Sequence, residues 1–393
     1  MSAIADRLAP AAAVLPARQT SVLAGLRLEM RLVGGPEWDR TIAEFDEVCQ
    51  EQLHVFATAR WPAVEQEPVL FLADGEVVGG SLMMVQRLPL GIAKIAVSKW
   101  GPMLKDAAVA NAAAIRAGMI EALIAEYAVR RGLMLSVLPR ASLTPGNPEY
   151  ANLITRGFQR GSELGFPSRY IVNLRLSDAE QRKSFAQKWR YHLNKSERSG
   201  LTFEHAGPER MGEFDALYAA MTDRKKFTDH SAYDTVQQLM ATEVEALRPE
   251  LFFVRHEGEV VAGALIFKAG DRAVYLYGAT SDKALPLRAG YFIHAKVISW
   301  LRDNTKAKWY DLGGTDGFHG LHQFKKGMVG EAGIITPVPP VANYASRPLP
   351  YLFGTAAFWG RDVIHRSRAK LKGLLQPKAR PDQAPIAPDA SAP

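Results

Sequence analysis

Two stretches of the chain share one pattern of apolar and polar positions. Residues 68–86 (PVLFLADGEVVGGSLMMVQ) and 250–270 (ELFFVRHEGEVVAGALIFKAG) each contain two apolar runs, joined at Asp74 and Gly75 or at Glu257 and Gly258. Apolar runs that flank a tight glycine-containing turn are typical of a β-hairpin. The repeat therefore predicts two equivalent hairpins, and chance similarity between unrelated hairpins is the alternative.

The same elements follow each hairpin in the same order. A strand-like run, a long helical stretch and a buried strand occupy residues 92–97, 107–131 and 133–138 after the first hairpin, and residues 273–278, 289–304 and 308–312 after the second. A hairpin, a strand, a long amphipathic helix and a further strand resemble the core of the GNAT (N-acetyltransferase-like) fold. We therefore expect an α/β (α+β) protein of two tandem GNAT-like domains, each a mixed β-sheet flanked by helices.

The 393 residues are long enough for two domains, because single hydrophobic cores rarely grow beyond about 250 residues. The predicted parts are a flexible tail (1–22), a first domain (23–165), a second domain that carries the active site (166–345), a basic C-terminal helix (346–376) and a disordered tail rich in Pro and Ala (377–393).

Composition narrows the functional classes. The net charge of +7 favours polyanionic partners such as tRNA, nucleotide diphosphates or anionic lipid headgroups. The single cysteine, Cys49, excludes an internal disulfide and is expected in the core, and no spacing of His and Cys indicates a metal site. The N-terminus makes a poor secretory signal, and no apolar run is long enough to span a bilayer. We expect a soluble cytoplasmic protein, with the inner face of the membrane as a further possibility.

In the GNAT fold, the strands before and after the long helix separate, and the gap admits an acyl donor. The helix of the first copy has no glycine-rich loop before it, which predicts weak anion binding. The second copy reads ALPLRAGYFIH, where Arg288, Gly290 and the helix N-terminus form a degraded version of the phosphate-binding RxxGxG/A loop. Close helix packing is the alternative reason for Gly290.

Two further segments carry a family resemblance. Residues 185–201 read FAQKWRYHLNKSERSGL and residues 309–331 read WYDLGGTDGFHGLHQFKKGMVGE. FemAB aminoacyltransferases of bacterial cell-wall synthesis typically have a basic helix of the type WRxxLRKAxKxG, then a YDxGG strand end and LxxFKxGFGG. The chain resembles this family over residues 28–338. The resemblance implies tandem GNAT-type domains that transfer an aminoacyl group from aminoacyl-tRNA, with no cofactor.

The first of these segments predicts a basic helix. Trp189 and Leu193 lie four residues apart and form an apolar face, so Trp189 would anchor the helix. The resemblance implies that an arginine of this region contacts the diphosphate of the substrate, and we assign that role to Arg190. A solvated charged face is the alternative for the other basic residues, which are Lys188, Lys195 and Arg198 in the segment and Arg182 just before it.

The second segment supplies the catalytic candidates. Asp311, at a strand end, could hold a nucleophilic amine or accept its proton, or it could cap the following loop. Phe324, Lys325 and Lys326 match the FK element of the family, which the resemblance places at the cleft. A fixed lysine would offset negative charge that develops on oxygen during acyl transfer. A solvated surface charge is the alternative, and replacing a solvent-accessible lysine should barely change stability.

Three departures from the family leave recognition of a nucleotide-linked precursor open. The second domain lacks the coiled-coil arm of some members. Met328 and Val329 replace the usual Phe and Gly, and residues 56–66 have no lysine where the family commonly has one that contacts phosphate. At the C-terminus, Phe358, Trp359 and Val363 alternate with basic residues, which is typical of a helix on an anionic membrane or of one packed on the domains.

The first functional hypothesis is aminoacyl transfer from aminoacyl-tRNA to an amine of a peptidoglycan precursor or related envelope acceptor. The second is an acyl-CoA-dependent N-acyltransferase that acts on a cell-surface polysaccharide or lipid. A non-catalytic GNAT-like binding protein is the third. A nucleic-acid regulator is disfavoured because the sequence has no recognised DNA-binding motif.

Overall fold

The computed structural model describes residues 19–23, 26–88, 94–225 and 232–375. These residues form two mixed β-sheets, each flanked by helices. The predicted α/β class, with two mixed sheets flanked by helices, is therefore confirmed. The predicted tail at 377–393 and residues 1–18 of the predicted N-terminal tail lie outside the described residues.

The first half of the chain supplies eight described strands and four α-helices. The strands are β1 (Gln19–Leu23), β2 (Leu26–Leu32), β3 (Glu65–Ala73), β4 (Glu76–Arg87), β5 (Lys94–Lys99), β6 (Met103–Leu104), β7 (Met134–Leu138) and β8 (Gln159–Arg160). The helices are α1 (Gly35–Ile42), α2 (His54–Arg60), α3 (Ala112–Leu123), which continues as a π-helix (Ile124–Arg130), and α4 (Pro148–Thr155).

The second half adds eight described strands and eight α-helices. The strands are β9 (Ser168–Asn173), β10 (Leu201–Ala206), β11 (Glu250–His256), β12 (Glu259–Phe267), β13 (Arg272–Thr280), β14 (Trp309–Asp311), β15 (Ile334–Pro337) and β16 (Ala342–Tyr344). The helices are α5 (Asp178–Ser184), α6 (Gln187–Glu197), α7 (Met211–Lys225), α8 (Val236–Met240), α9 (Ala284–Leu287), α10 (Ala289–Asn304), α11 (His319–Val329) and α12 (Pro348–Leu375).

The chain crosses between the two sheets. The first sheet has the order β1-β2-β3-β4-β5-β7-β16-β8, with β6 on β4, and the second has the order β10-β11-β12-β13-β14-β9-β15. Strand β16 follows the second unit in the chain, yet it pairs between β7 and β8 of the first sheet. One strand of the proposed second domain (166–345) therefore belongs to the first sheet, and β1 begins within the proposed tail of residues 1–22.

The two repeated hairpins have the same geometry. The turn residues between β3 and β4 have φ angles of 49° and 86°, and those between β11 and β12 have 50° and 82°. Both pairs include glycine at the second position, as a turn with two left-handed residues favours. Each hairpin also shows a register shift at the same place, between Phe71 and Leu72 or between Val254 and Arg255. The predicted equivalence of the hairpins is confirmed.

A shared apolar core joins the two units. At the interface, Gly270 has a φ of 79°, and a Cβ atom there would lie 2.6 Å from the carbonyl oxygen of Asp46. Lys306 Nζ donates to the carbonyl of Glu44 at 3.0 Å. These close contacts hold the two units against each other. The shared core includes Trp38, Phe45, Val48, Leu53, Leu239, Leu247 and Phe267.

Candidate active site

The strands on either side of the long helix separate in the second unit. Strands β13 and β14 pair in parallel over residues 272–274 and 309–311, although β13 continues to Thr280. The equivalent strands of the first unit, β5 and β7, stay paired over five residues each, from Ile95 to Lys99 and from Met134 to Leu138. In the second unit β13 therefore extends past the end of β14, and we call the side of residues 275–280 that β14 leaves unpaired the gap; it lies in the unit where the sequence predicted the active site.

A β-bulge lies at the start of this gap. The register of β12 with β13 shifts so that Leu265 faces Tyr277 and Ile266 faces Tyr275, which leaves Leu276 as the extra residue. Bulges bend a strand and re-aim its groups, and they are common beside active sites. The bulge follows directly after the last residue of β13 that pairs with β14. Backbone N–H groups at this point are thus free of β14 and can bind a carbonyl oxygen.

Lys325 is held beside the loop that follows β14. Its side chain is 6% exposed, and Nζ donates to the carbonyl oxygens of Leu312 at 2.6 Å and of Gly314 at 2.5 Å. An ammonium group has three N–H donors, and these two carbonyls are its acceptors among the described residues, so one donor remains for a ligand. The neighbouring Lys326 is exposed. The structure therefore selects Lys325 as the inward-facing member of the predicted lysine pair.

Burial controls the charges around Lys325. Burial, and then the charge of Arg169, lowers the pKa of Lys325 to about 8. His294 on α10 is buried and its Nδ1 lies 3.2 Å from the hydroxyl of Tyr310. Burial and the nearby charge of Lys325 lower the pKa of His294 to about 3. The imidazole is consequently neutral near pH 7, and Lys325 is the cation of this part of the site.

Asp311 caps the loop, as one of its two predicted interpretations proposed. Its carboxylate accepts a backbone hydrogen bond from Gly313 at 2.9 Å and pairs with Arg169, whose Nε lies 3.1 Å from Oδ1. Burial alone would raise the pKa of Asp311, but the charges of Arg169 and Arg272 outweigh it, so the pKa is lowered. A carboxylate held in this way positions the loop, and the geometry does not favour proton transfer through it.

Trp189 anchors helix α6 as predicted. Its ring is buried, with centroids 4.2 Å from Phe185 and 5.2 Å from Tyr291. Phe324 lies on the same aromatic cluster, 4.9 Å from Tyr291 and 5.6 Å from His294. The cluster fixes α6 and α11 against the N-terminal half of α10, and so holds the FK element at the gap.

Several predicted phosphate-binding residues meet at the N-terminus of α10. Lys188 and Lys195 are exposed on α6, on either side of His192, whose ring lies 4.9 Å from that of Tyr291. Burial, and then the charges of Arg288, Lys188 and Lys195, lowers the pKa of His192. Arg288 is the N-cap residue of α10, and Lys188 and Lys195 lie on α6, which packs against α10; we call these three cations the cationic surface.

Gly290 occupies the first turn of α10 beside this surface. A Cβ atom at this position would meet no atom nearer than Phe324 Cζ, at 3.9 Å. That distance is an ordinary van der Waals contact, so helix packing does not require glycine here. The alternative of close packing is therefore unsupported, while a role in phosphate binding stays a prediction.

Arg190 has structural partners. Its NH1 donates to the carbonyl oxygens of Lys183 at 2.7 Å and Phe185 at 2.6 Å, at the end of α5. These bonds hold the α5–α6 connection, and they weigh against the predicted phosphate contact, which stays a prediction. Arg182 likewise donates to Asn194 at 2.7 Å and pairs with Glu197.

Sequence reasoning missed a second group of polar residues, which lines a pocket between the two units beside Asp311. Its charged members include Glu51, Arg140, Arg169 and Arg272. A charged residue at a strand end next to an apolar run, as at Arg272 before AVYLYG, is the one signal that could have marked them. Among the described residues, no group of three or more His, Cys, Asp or Glu side chains is arranged to hold a metal ion.

Comparisons with known proteins agree with this architecture. Residues 183–326 match the family model of the acetyltransferase (GNAT) domain. A crystal structure of FemX is 18% identical, with a TM-score of 0.63, covering 81% of this chain and 97% of that chain. A conserved protein of unknown function from Bacteroides thetaiotaomicron is 14% identical, with a TM-score of 0.53, covering 80% and 97%. The chain has the tandem GNAT fold. A search of curated protein sequences gives no significant match.

The tandem GNAT fold confirms the predicted resemblance to the FemAB proteins at the level of architecture, since FemX shares it over nearly its full length. The family match covers α6, the β11–β12 hairpin, β13, α10, β14 and the whole FK element. These segments build the gap described above. The match thus places a GNAT-type domain in the second unit.

Proposed function

We propose that the protein is a FemAB-like acyltransferase that moves an aminoacyl group from aminoacyl-tRNA to an amine of a peptidoglycan precursor or related cell-envelope acceptor. The observation that carries this proposal is the gap between β13 and β14 with the buried cation of Lys325 beside it. In the first unit the equivalent strands stay paired. Acyl transfer develops negative charge on oxygen, and a buried cation beside the gap would offset that charge.

The chemistry needs a binding site for a developing oxyanion. The acceptor amine attacks the carbonyl carbon of the aminoacyl ester, a C–N bond forms, and the carbonyl oxygen becomes negative. The bond to the ribose oxygen then breaks, and that oxygen takes up a proton as the amine loses one. The backbone N–H groups at the bulge near Leu276 and the remaining N–H of Lys325 supply hydrogen bonds and positive charge to these oxygens.

The cationic surface beside α10 binds the phosphates of the donor in this proposal. The first turn of a helix offers unpaired backbone N–H groups, and Lys188, Lys195 and Arg288 add charge there. The same surface also suits the diphosphate of an acyl-CoA. The match to an acetyltransferase domain favours that second candidate, an acyl-CoA-dependent N-acyltransferase that acts on an envelope polysaccharide or lipid.

A transfer assay distinguishes the two donors. The purified protein is incubated with amino-acid-charged total tRNA or with a panel of acyl-CoA thioesters, each with a muramyl peptide linked to uridine diphosphate, and the acceptor mass is measured. We expect the acceptor to gain an aminoacyl mass with charged tRNA. Gain with acyl-CoA alone would establish the second candidate. No gain with either donor, together with unchanged envelope fractions in a strain that lacks the gene, would refute the acyltransferase proposal.

The cationic surface gives a prediction for donor binding. Changing both Lys188 and Lys195 to Ala should raise the donor KM at least about tenfold with little change in kcat, because binding is lost equally in the ground and transition states. The dependence of binding on salt should also weaken, since fewer counterions are released. Lys183→Ala, an exposed lysine on α5, is the control. An unchanged donor KM in the double variant would contradict the assignment.

Helix α12 presents an apolar face to solvent. Leu349, Leu352 and Trp359 are 62%, 61% and 70% exposed, and their spacing places them on one side of the helix. On another side Gly354 packs so closely that a Cβ atom would lie 2.4 Å from Met134 Cε. Five basic residues follow in the sequence, at positions 361, 366, 368, 370 and 372. Within the described residues, no helix is long and apolar enough to cross a membrane.

We infer that α12 binds an anionic membrane surface, because its exposed apolar side chains suit the acyl region of the lipid and the basic residues that follow suit the anionic headgroups. Co-sedimentation with vesicles of phosphatidylglycerol and phosphatidylcholine checks this. Binding should be strong with the anionic lipid, weak with phosphatidylcholine alone, and reduced about tenfold when Leu352 and Trp359 are both changed to Ser. Val129→Ser removes an apolar side chain that is 52% exposed elsewhere and should change nothing. Equal binding by both variants would refute the inference.

A further inference from the structure

The interdomain pocket beside Asp311, which we call the arginine pocket, lies next to the donor gap. Val274 and Asp311 are the last paired residues of β13 and β14, and both line the pocket. The free space is about 30 Å³, which admits a group of a few atoms and not a nucleotide. The other lining residues are Cys49, Glu51, Trp100, Arg140, Ala141, Arg169 and Arg272.

Two of the three arginines have protein partners that account for their charge. Arg169 pairs with Asp311 at 3.1 Å. Arg140 donates to the carbonyl of Glu47 at 3.1 Å and lies 3.8 Å from Asp271. The carboxylates of Asp311 and Asp271 thus offset these two cations. Such pairs are structural, and they leave Arg272 as the arginine of the pocket whose charge is least compensated.

Arg272 has an unused hydrogen-bond donor. The residue is 7% exposed and its NH1 donates to the carbonyl of Ala141 at 3.0 Å, but within the described residues its buried Nε has no acceptor. The buried Nε1 of Trp100 also has none there. A buried donor that stays unpaired costs free energy, so an acceptor bound in the pocket would stabilise both. Trp100 has a φ of 60°, a strained conformation that is common at ligand sites.

Glu51 supplies the opposite charge. It lies on the short 3₁₀-helix Gln50–Gln52 of the first unit, is half-buried, and makes no ion pair with any described residue. Burial, and then repulsion from the nearby charge of Arg140, lowers the pKa of Arg272 to about 10. An incoming carboxylate would relieve that repulsion. A dianionic phosphate would fit less well, because Glu51 and Asp311 are negative.

We propose that the arginine pocket binds the zwitterionic head of an amino-acid acceptor, with Arg272 and Trp100 holding the carboxylate and Glu51 holding the ammonium group. This rests on the proposed function, because it fixes the acceptor beside the gap where the acyl group arrives. The proposal also narrows the chemical class of the acceptor. The acceptor is an amino acid or a peptide with a free amino-acid head, and not a sugar amine or a plain alkylamine.

A binding experiment without donor tests the pocket separately from catalysis. The indole N–H signal of Trp100, identified through Trp100→Phe, is followed by NMR at constant ionic strength while L-lysine, 6-aminohexanoate or cadaverine is added. The second compound lacks the α-ammonium group and the third lacks the carboxylate. We expect lysine to bind at least about tenfold more tightly than either, since each loses a charge-assisted bond. Equal shifts with cadaverine, or no saturable shift with lysine, would overturn the proposal.

Two variants separate recognition from folding. Glu51→Gln, at a half-buried position, should make lysine and 6-aminohexanoate bind equally, while Glu44→Gln, with a side chain 76% exposed, should behave as the wild type. Arg272→Lys keeps the charge but loses Nε and should weaken lysine binding at least about tenfold. Thermal melting verifies that each variant is folded.

Unchanged selectivity in folded Glu51→Gln would remove Glu51 from the site. Transfer to plain amines as efficient as transfer to amino acids would refute the pocket while leaving the acyltransferase proposal intact.

Discussion

Replacing Lys325 with Met will lower kcat about 100-fold to 1000-fold, the usual cost of removing one oxyanion donor. The reason is that the ammonium group of Lys325 is fixed by two backbone carbonyls beside the gap and needs no reorganisation when charge develops on oxygen. Donor KM should change much less, because this charge acts mainly in the transition state. Steady-state transfer kinetics measure both quantities.

Stability will fall as well, which differs from the expectation for a solvent-accessible lysine. Lys325 is buried, and its loss leaves the carbonyls of Leu312 and Gly314 without a donor. Each unsatisfied buried group costs about 1–3 kcal/mol. Lys326→Met is the matched control, since that side chain is exposed, and it should change neither turnover nor melting temperature. Wild-type turnover in a folded Lys325→Met variant would refute the proposed site.

The pH dependence of turnover tests the same residue. Because the pKa of Lys325 is lowered to about 8, its charge is lost as pH rises past 8, and kcat should fall there. Lys325→Arg keeps its charge at this pH, so any residual activity should lack that decline. The stability of the folded protein changes with pH in the opposite direction to kcat. An unfolded lysine holds its proton up to its ordinary pKa of 10.5, so the contribution of Lys325 to stability rises with pH between about 8 and 10.5.

The parts of the fold that the sequence predicted well are those set by local pattern. Each hairpin follows from a glycine turn between two apolar runs, and α10 spans residues 289–304, as its amphipathic pattern predicted. Helix α3 begins at Ala112, later than the predicted residue 107, and it becomes π-helical at Ile124. Cys49 is buried, as expected for a core thiol. Local spacing and turn chemistry carry this information.

The remaining features depend on contacts between distant segments. Strand β16 has three residues, and its apolar pattern is too short to show that it returns to the first sheet. The arginine pocket combines Glu51, Arg169 and Arg272, which come from three separate elements. Arg190 looked suited to bind phosphate, but its partners are backbone carbonyls that no sequence pattern reveals. The exposed or buried state of two adjacent lysines likewise depends on how α11 packs.

Replacing Asp311 with Asn will destabilise the protein by about 3 kcal/mol, because it leaves the largely buried guanidinium of Arg169 without its counter-charge. For a domain of 150 to 250 residues this lowers the melting temperature by about 6–12 °C. Asp316→Asn, at an exposed position in the same loop, is the control and should melt as the wild type does. Calorimetry or circular dichroism provides the measurement.

A double-mutant cycle shows whether the ion pair explains the effect. Arg169→Met should destabilise by a similar amount, and the double variant should be less destabilised than the two single effects added together, since neither charge is then left alone. The pKa of Asp311 is lowered below its ordinary 3.8, so its stabilising contribution is present above about pH 4 and is lost as pH falls through the folded pKa. Acid unfolding of Asp311→Asn should lack that component. If Asp311→Asn instead melts as the wild type does but no longer transfers, Asp311 takes part in the chemistry and the loop-capping role is wrong.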